Sequence, residues 1–537
     1  MKKNIKLLDC TLRDGGYYNN WEFSDDLVKE YLNVMSLSPV EYVEVGLRSS
    51  KNIGFKGPYA FSTDIFLESL NIPDGIKIGV MVNASEFTSC FGEDLINKIS
   101  SLFSHAHSSK VQLVRIASHL EEFEHSLKMV SIFKNLGYEV GLNIMQISEA
   151  SDEQMVKFSI NASDSNLDVL YFADSLGNLK PKNIDHIIAK LKSGWSGSIG
   201  IHTHDNMGLA MSNSQQAISS GATWIDSTIT GMGRGPGNLQ TEYSLIEFVA
   251  SEDNSNYSSV LRLIEDYFSP LKEKYKWGKN PFYYLSGLYS IHPTFIQEAI
   301  SDQRYDEVEI LSLIEHLKEV GGTKYSKNIS IAQMNIYNQE IDGKWSPKDD
   351  FESKNVLILG NGPSLKDHSR GIEQFIKKTN PIVISLNQNN SIDDDLINFQ
   401  AACHPMRVIA DISNYQTMKR PLIIPFGSLP DLIKSKLKNC EILDFGLCTN
   451  ENSFVYKEKS ANIPLPLVFA YVLSIANSGK ASDIFLAGFD GYEKDDPRNE
   501  EMNQLIAKYK ETQDSCALVS ITPSKYNISV ESLYAIS

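Results

Sequence analysis

Between residues 6 and 238 the chain alternates short apolar runs with longer segments whose apolar residues recur at helical spacing. The runs cover residues 6–11, 42–46, 76–82, 111–116, 139–145, 169–173, 198–202 and 224–229. Each is about strand length, and several are rich in Val and Ile. Helical segments fit between them. Ser24-Asp25-Asp26 and Ser151-Asp152-Glu153 offer caps at two helix starts. Eight β-α units in about 250 residues is the count of a closed (β/α)8 barrel. An open doubly wound sheet competes with it, and eight regular units favour closure. Residues 1–255 are therefore assigned to a barrel.

The pattern then changes. Segments 259–267, 294–299 and 306–317 read as helices with no clear strand among them. Residues 256–338 are assigned to a helical extension over the barrel. Residues 339–354, polar and charged with Pro347, are the linker expected before the next domain. Alternation returns from Asn355, with strand-like runs at 356–359, 382–386, 422–425, 442–445, 483–487 and 517–521. Residues 355–537 are expected to form a second, Rossmann-like α/β domain built on an open sheet.

A length of 537 residues agrees with two or three domains. The net charge of −17 argues against nucleic acid or an anionic membrane as partner, since both need a positive field. The first residues hold no apolar stretch long enough for a secretion signal. The apolar run at 465–476 is shorter than the roughly 20 residues that cross a bilayer, and reads as a buried helix. Six scattered cysteines without a C-x-x-C pair point to reduced thiols and a cytoplasmic location. A homo-oligomer is compatible with all of this.

Candidate chemistry collects at three run ends. In the seventh run His202 and His204 are two residues apart, so a strand would place both imidazoles on one face. Two histidines plus a carboxylate suit a divalent cation, although the pair alone is equally compatible with hydrogen-bonded structural histidines. The first run ends in Asp9-Cys-Thr-Leu-Arg13-Asp14-Gly-Gly16 and the eighth in Gly231-Met-Gly-Arg-Gly-Pro-Gly-Asn238. Alternate glycines let backbone approach a ligand closely. Ends one, seven and eight are neighbours in a closed barrel.

The segments Thr11–Gly15, His202–His204 and Gly231–Asn238, with Ala173–Gly177 and Val43–Gly46, resemble the metal-dependent barrel superfamily of 4-hydroxy-2-oxovalerate aldolase, HMG-CoA lyase and 2-isopropylmalate synthase. The resemblance implies that Asp14, His202 and His204 bind Mg2+ or Mn2+, with Asn238 completing or bracing the site. It implies that Arg13 contacts the substrate oxygen that becomes an enolate. Glu44 would orient Arg13. The implied substrates are a 2-oxo acid such as pyruvate and an aldehyde, joined or split at a carbon–carbon bond; a place in surface-carbohydrate synthesis is an expectation that rests on the pairing of the two domains. The aldolases carry a basic histidine three residues after the metal aspartate. Tyr17 stands there instead, and an ordinary phenol is a poor base at neutral pH. His292 in the helical extension is a second candidate acid or base. Claisen chemistry on an acyl-CoA is the rival within the superfamily. A nucleotide-sugar transferase with a non-catalytic barrel is the rival outside it.

In the C-terminal half, Gly360-Asn361-Gly362-Pro363-Ser364 follows a strand and precedes a helix, a geometry that can offer backbone amides to an anion. With the following leucine, and loosely with Asn387, it resembles the start of family-42-type sialyltransferases and pterin diphosphokinase-like domains. The resemblance implies a nucleotide or nucleotide sugar held by Gly360, Asn361, Gly362, Ser364 and Asn387. The alternative is a degenerate module that only binds a ligand or organises an oligomer.

Overall fold

A computed structural model describes residues 5–248, 255–301, 307–323, 341–386, 391–404, 407–408, 411–429, 431–450, 454–493, 496–512 and 514–535. The chain divides into two compact units, Met1–Asp302 with Leu317–Tyr325 and Gln303–His316 with Ser326–Ser537.

The first unit is a closed barrel of eight parallel strands. They are β1 (Lys6–Asp9), β2 (Tyr42–Leu47), β3 (Lys77–Asn83), β4 (Val111–Ser118), β5 (Glu139–Ile144), β6 (Val169–Asp174), β7 (Ser198–Thr203) and β8 (Trp224–Ser227). Each pairs with the next, and β8 closes on β1. All eight sequence runs supply strands, and the open-sheet alternative is excluded.

Side-chain alternation with period two builds the barrel interior in layers. Leu8, Tyr42, Leu113, Val169, Tyr171 and Trp224 form a buried apolar plug. Two residues further along their strands, Tyr42 gives way to Glu44, Leu113 to Arg115 and Trp224 to Asp226, all buried. Another step brings β4 to Ala117 and β7, through His202, to His204. The sequence thus stacks an apolar floor, a charged layer and an open mouth.

The first run is shorter than expected. β1 stops at Asp9, and a helix spans Thr11–Asn19 despite its two glycines. The Asp9 carboxylate accepts from the Thr11 amide (2.8 Å), the Thr11 hydroxyl (2.5 Å) and the Tyr31 hydroxyl (2.5 Å), which fixes the turn. Arg13 and Asp14 therefore sit on the first turn of a helix above the strand end, not on the strand.

Helices Pro281–Leu288 and Pro293–Ser301 belong to the barrel unit. Gly287 packs so closely on the loop after β6 that an added Cβ would lie 2.7 Å from the Gly177 carbonyl oxygen. The Gln146 carboxamide donates to the Thr323 carbonyl (2.9 Å). The extension expected at 256–338 does not stay whole, because Gln303–His316 groups with the second unit.

The second unit holds β9 (Val356–Leu359), β10 (Ile382–Leu386), β11 (Phe399–Ala401), β12 (Leu422–Ile424), β13 (Ile442–Asp444), β14 (Gly446–Thr449), β15 (Val455–Tyr456), β16 (Ser460–Ile463), β17 (Ile484–Ala487), β18 (Leu518–Ser520) and β19 (Ser529–Val530). Its main sheet runs β13-β12-β11-β10-β9-β17-β18-β19, parallel throughout. A small sheet, β14-β16-β15, lies outside it. The apolar run at 465–476 supplies the helix Val468–Ser478, buried over nearly all its length.

The expected linker is corrected. Its first residues, 339–340, lie outside the described residues. The remainder packs into the second unit: Phe351 is fully buried, Trp345 stacks near Phe351, Phe399 and Phe445, and the Trp345 amide donates to Asp444. Two aromatic residues in a charged stretch were the signal that it carries core. All six cysteines are free, and no helix among the described residues is long and apolar enough to cross a membrane.

Candidate metal centre at the barrel mouth

The charged layer closes on itself as a ring. Arg13 donates through Nε to Glu44 (2.7 Å) and through Nη1 to Asp14 (2.6 Å). Arg115 reaches Glu44 (3.4 Å) and Asp226 (2.7 Å). Asp226 lies 3.0 Å from His202 Nδ1, and His202 Nε2 lies 3.6 Å from Asp14. All six members are buried. Counting the imidazole as neutral, two guanidinium groups face three carboxylates, a formal charge of −1. A divalent cation would turn that to +1, which a monoanionic acid would cancel.

The electrostatics follow from the ring. Burial would raise the Asp14 carboxyl, but Arg13, and then His202, hold it well below the usual carboxylate range. Asp226 is likewise lowered against burial, by Arg115 and His202. Burial favours neutral His202, yet Asp14 and Asp226 outweigh it and raise its pKa. His204 behaves oppositely: burial, helped by His202, pushes it down to about 3.

Asp14, His202 and His204 each offer a ligand atom, all within 4.8 Å of one another. The donors suit a divalent cation, and the His202–Asp226 bond is the usual outer support of a ligating histidine. His204 Nδ1 and Asn238 Oδ1 are buried without a hydrogen-bond partner among the described residues. The Asn238 carboxamide donates to Asp14, and Asn238 bridges to His204. Glycine is required beside them: a Cβ on Gly233 would lie 2.4 Å from Asn238 Nδ2 and 3.0 Å from Asp14 Oδ2. A second triple, Cys10, His202 and Asp226, also converges. Burial pushes the Cys10 thiol well up, so it stays protonated, and Asp226 is already engaged by Arg115.

These residues open onto a cavity of about 420 Å³, lined also by Tyr17, Arg234 and His292. Glu44 lies beneath it, behind Arg13. Tyr17 sits at the rim, 36% exposed, with the Arg234 guanidinium 4.2 Å from its ring centre. Burial, then Arg234 and His119, push His292 down to about 3, so its ring is neutral near pH 7.

Sequence reasoning missed Arg115, Asp226, Arg234 and Asn143. A lone charge inside an apolar run was the available signal for the first two, at VQLVRIAS and WIDS. Asp226→Asn should weaken divalent-cation affinity about 10- to 100-fold, because the amide orients the His202 ring less firmly. Calorimetric titration with Mn2+ checks this, and unchanged affinity would remove Asp226 from the site.

In the second unit the residue 360–364 turn lies at the C-terminal ends of β9 and β17, where the strand order reverses. Gly360, Asn361 and Gly362 line a cavity of about 580 Å³ there. The expected row of open amides is corrected. Gly360 N donates to Ala487, Gly362 N to Gly488, and Ser364 N to the Asp490 carboxylate (3.1 Å). The Ser364 hydroxyl donates to Asp490 (2.8 Å), so Ser364 is structurally committed. A carboxylate of the chain itself already fills the anion position. Asn387 lies outside the described residues.

Fold and mouth together are those of a TIM-barrel enzyme with a candidate divalent-cation centre. Residues 4–259 match the HMGL-like family model, and this part of the chain belongs to that family, which depends on divalent metal. A 4-hydroxy-2-oxovalerate aldolase of Carboxydothermus hydrogenoformans is 27% identical over 332 residues, 60% of this chain and 95% of the relative. An oxaloacetate decarboxylase of Mycobacterium tuberculosis is 24% identical over 240 residues, 44% of this chain and 67% of the relative. Among solved structures, the N-terminal domain of a candidate aldolase from Bacteroides vulgatus is 31% identical, covering 56% of this chain and 98% of that one, with a TM-score of 0.48.

Proposed function

We propose that the barrel is a divalent-metal-dependent aldolase that makes or breaks a carbon–carbon bond between a 2-oxo acid such as pyruvate and an aldehyde. One observation carries the reading: Asp14, His202 and His204 converge beside an arginine whose third nitrogen, Nη2, is buried without a hydrogen-bond partner among the described residues. The aldolase names of the relatives support it.

Mg2+ or Mn2+ held by Asp14, His202 and His204 would supply Lewis-acid polarisation of the keto group. Arg13 is fixed by Glu44 and Asp14, which leaves Nη2 to donate to the oxygen on which enolate charge develops. His292, held neutral, is a weak base and suits a donor's role toward a substrate oxygen. Tyr17 at the rim relays a proton to or from solvent. Pyruvate methyl protons should exchange with deuterated solvent only when the full chain carries metal, as read by NMR. Metal-independent or absent exchange would end this reading.

For the second unit we infer a nucleotide or nucleotide-linked sugar, on the strength of the cavity at the strand-order reversal. With Asp490 occupying the turn, phosphate would meet the side chains of Arg407 and Arg498, both of which line that cavity. Calorimetry of the full chain with cytidine, uridine, guanosine and adenosine phosphates should find one ligand with micromolar affinity. Silence across the panel favours the purely organising role. Gly362→Val is unsuited as a control, since its Cβ would lie 2.0 Å from Asp490 whatever binds. The free cysteines fit a reducing, cytoplasmic setting.

A further inference from the structure

The barrel order places β3, β4 and β5 across the mouth from β7, β8 and β1, the strands that carry or adjoin the metal residues. On that far wall Asn83, Ala117 and Asn143 stand in register on the three strands, and all three line the cavity. Asn143 is 3% exposed, and its Oδ1 has no hydrogen-bond partner among the described residues. A buried amide oxygen left unpaired is costly, and this one borders the cavity, where a bound molecule can donate to it. Around it Ala117 and Ala173 leave space, while Ser175 and Gln146 add neutral polar groups.

We propose that the aldehyde used here is polyhydroxylated, an aldose-like chain, rather than a short apolar aldehyde. This deepens the aldolase reading above and rests on it. A carboxamide both donates and accepts, and so does a hydroxyl, which suits Asn143 to one hydroxyl, while Asn83, whose amide donates to Glu86 (3.4 Å), offers its oxygen to the next. Glu121 and Arg234 also line the cavity, but the side chains at Asn83, Asn143, Gln146 and Ser175 are uncharged and suit hydroxyls at that wall. A cavity of about 420 Å³ also exceeds what pyruvate and a two-carbon aldehyde would fill. In the forward step the pyruvate methyl carbon loses a proton to a base and bonds to the aldehyde carbon. The aldehyde oxygen takes up a proton, so nothing is oxidised or reduced. The new chain carries its hydroxyls along the β3–β5 wall while its 2-oxo acid end stays at the metal.

The test compares aldehydes of equal length. The Mn2+-loaded full chain is given pyruvate with D-erythrose or butanal, and with glyceraldehyde or propanal, and products are read by mass. The hydroxylated member of each pair should win in kcat/KM. In Asn143→Leu the erythrose-to-butanal ratio should collapse about 10- to 100-fold, the loss expected when a buried hydrogen bond to substrate is removed. Asn143→Ser should restore part of it, and the thermal midpoint of each variant reports folding. Butanal equal to or better than erythrose in the wild type, or an unchanged ratio in a folded Asn143→Leu, overturns the proposal. Pyruvate deuterium exchange separates the two failures. Exchange with a preference for apolar aldehydes sinks this inference alone, whereas no exchange and no product sinks the aldolase reading and this inference with it.

Discussion

Replacing His202 by alanine should empty the barrel mouth of its cation and lower turnover at least ~1,000-fold, since a metal Lewis acid contributes several kcal/mol to the barrier. The barrel should nevertheless stay folded. The substitution opens the ring at one point, but each carboxylate in it keeps a cation: Asp226 retains Arg115 at 2.7 Å, and Asp14 retains Arg13 at 2.6 Å. No buried charge is orphaned, which is the condition under which removing one member of a buried network becomes severely destabilising. Metal content by elemental analysis and a melting curve together check the claim. Cys10→Ala provides the contrast, because a protonated thiol is no ligand and its loss should leave the metal in place. Metal retained at wild-type stoichiometry in the His202 variant would show that the cation is held elsewhere.

The candidate ligand set was legible because barrel chemistry concentrates where strands end. H-x-H on an apolar run, Arg-Asp after another and alternate glycines after a third are visible as strings, and closure of the barrel brings them together. What held them in place was less visible. Asp226 and Arg115 lie 111 positions apart, and only the period-two descent of β4 and β8 into one layer makes them partners. Asn143 was hidden differently: a single amide in GLNIM looks like noise until its unpaired oxygen is seen. Element edges also misled. The run from Lys6 reads as one strand through Thr11, but the Asp9 carboxylate bonds to Thr11 and starts a helix, and that turn lifts Asp14 over the mouth.

The second unit tells the same story at a turn. Gly360-Asn-Gly362 was rightly read as a tight strand-to-helix connection at a sheet crevice. The string could not reveal that Asp490, 126 positions away from Ser364, accepts from the Ser364 amide, or that Gly360 and Gly362 give their amides to backbone carbonyls of residues 487 and 488. A sequence motif names the donors, and tertiary structure decides which acceptor they meet. The strands β11 and β19 were missed because FQA and SV offer no apolar run, whereas the equally short β12, LII, does.

Arg13→Ala should separate enolate stabilisation from metal binding. The guanidinium cannot ligate a cation, and its charge persists at any working pH. Its loss removes one hydrogen bond from Asp14, but Asn238 still donates to that carboxylate. Removing a neighbouring positive charge also favours a cation, so Mn2+ affinity should stay near wild type. Glu44 keeps Arg115 at 3.4 Å, so its charge is not abandoned. The defect should therefore fall on kcat, because enolate charge exists in the transition state and intermediate rather than in bound pyruvate. One preorganised donor lost typically costs about 100- to 1,000-fold in rate. Arg13→Lys should recover only part: an ammonium can reach one partner, whereas Arg13 spans Glu44, Asp14 and the substrate oxygen with three nitrogens of one plane. Steady-state kinetics on pyruvate, alongside Mn2+ calorimetry, decide the matter. A change confined to KM would make Arg13 a clamp on the substrate carboxylate. No change in either constant would leave the ring as a purely structural brace under the metal.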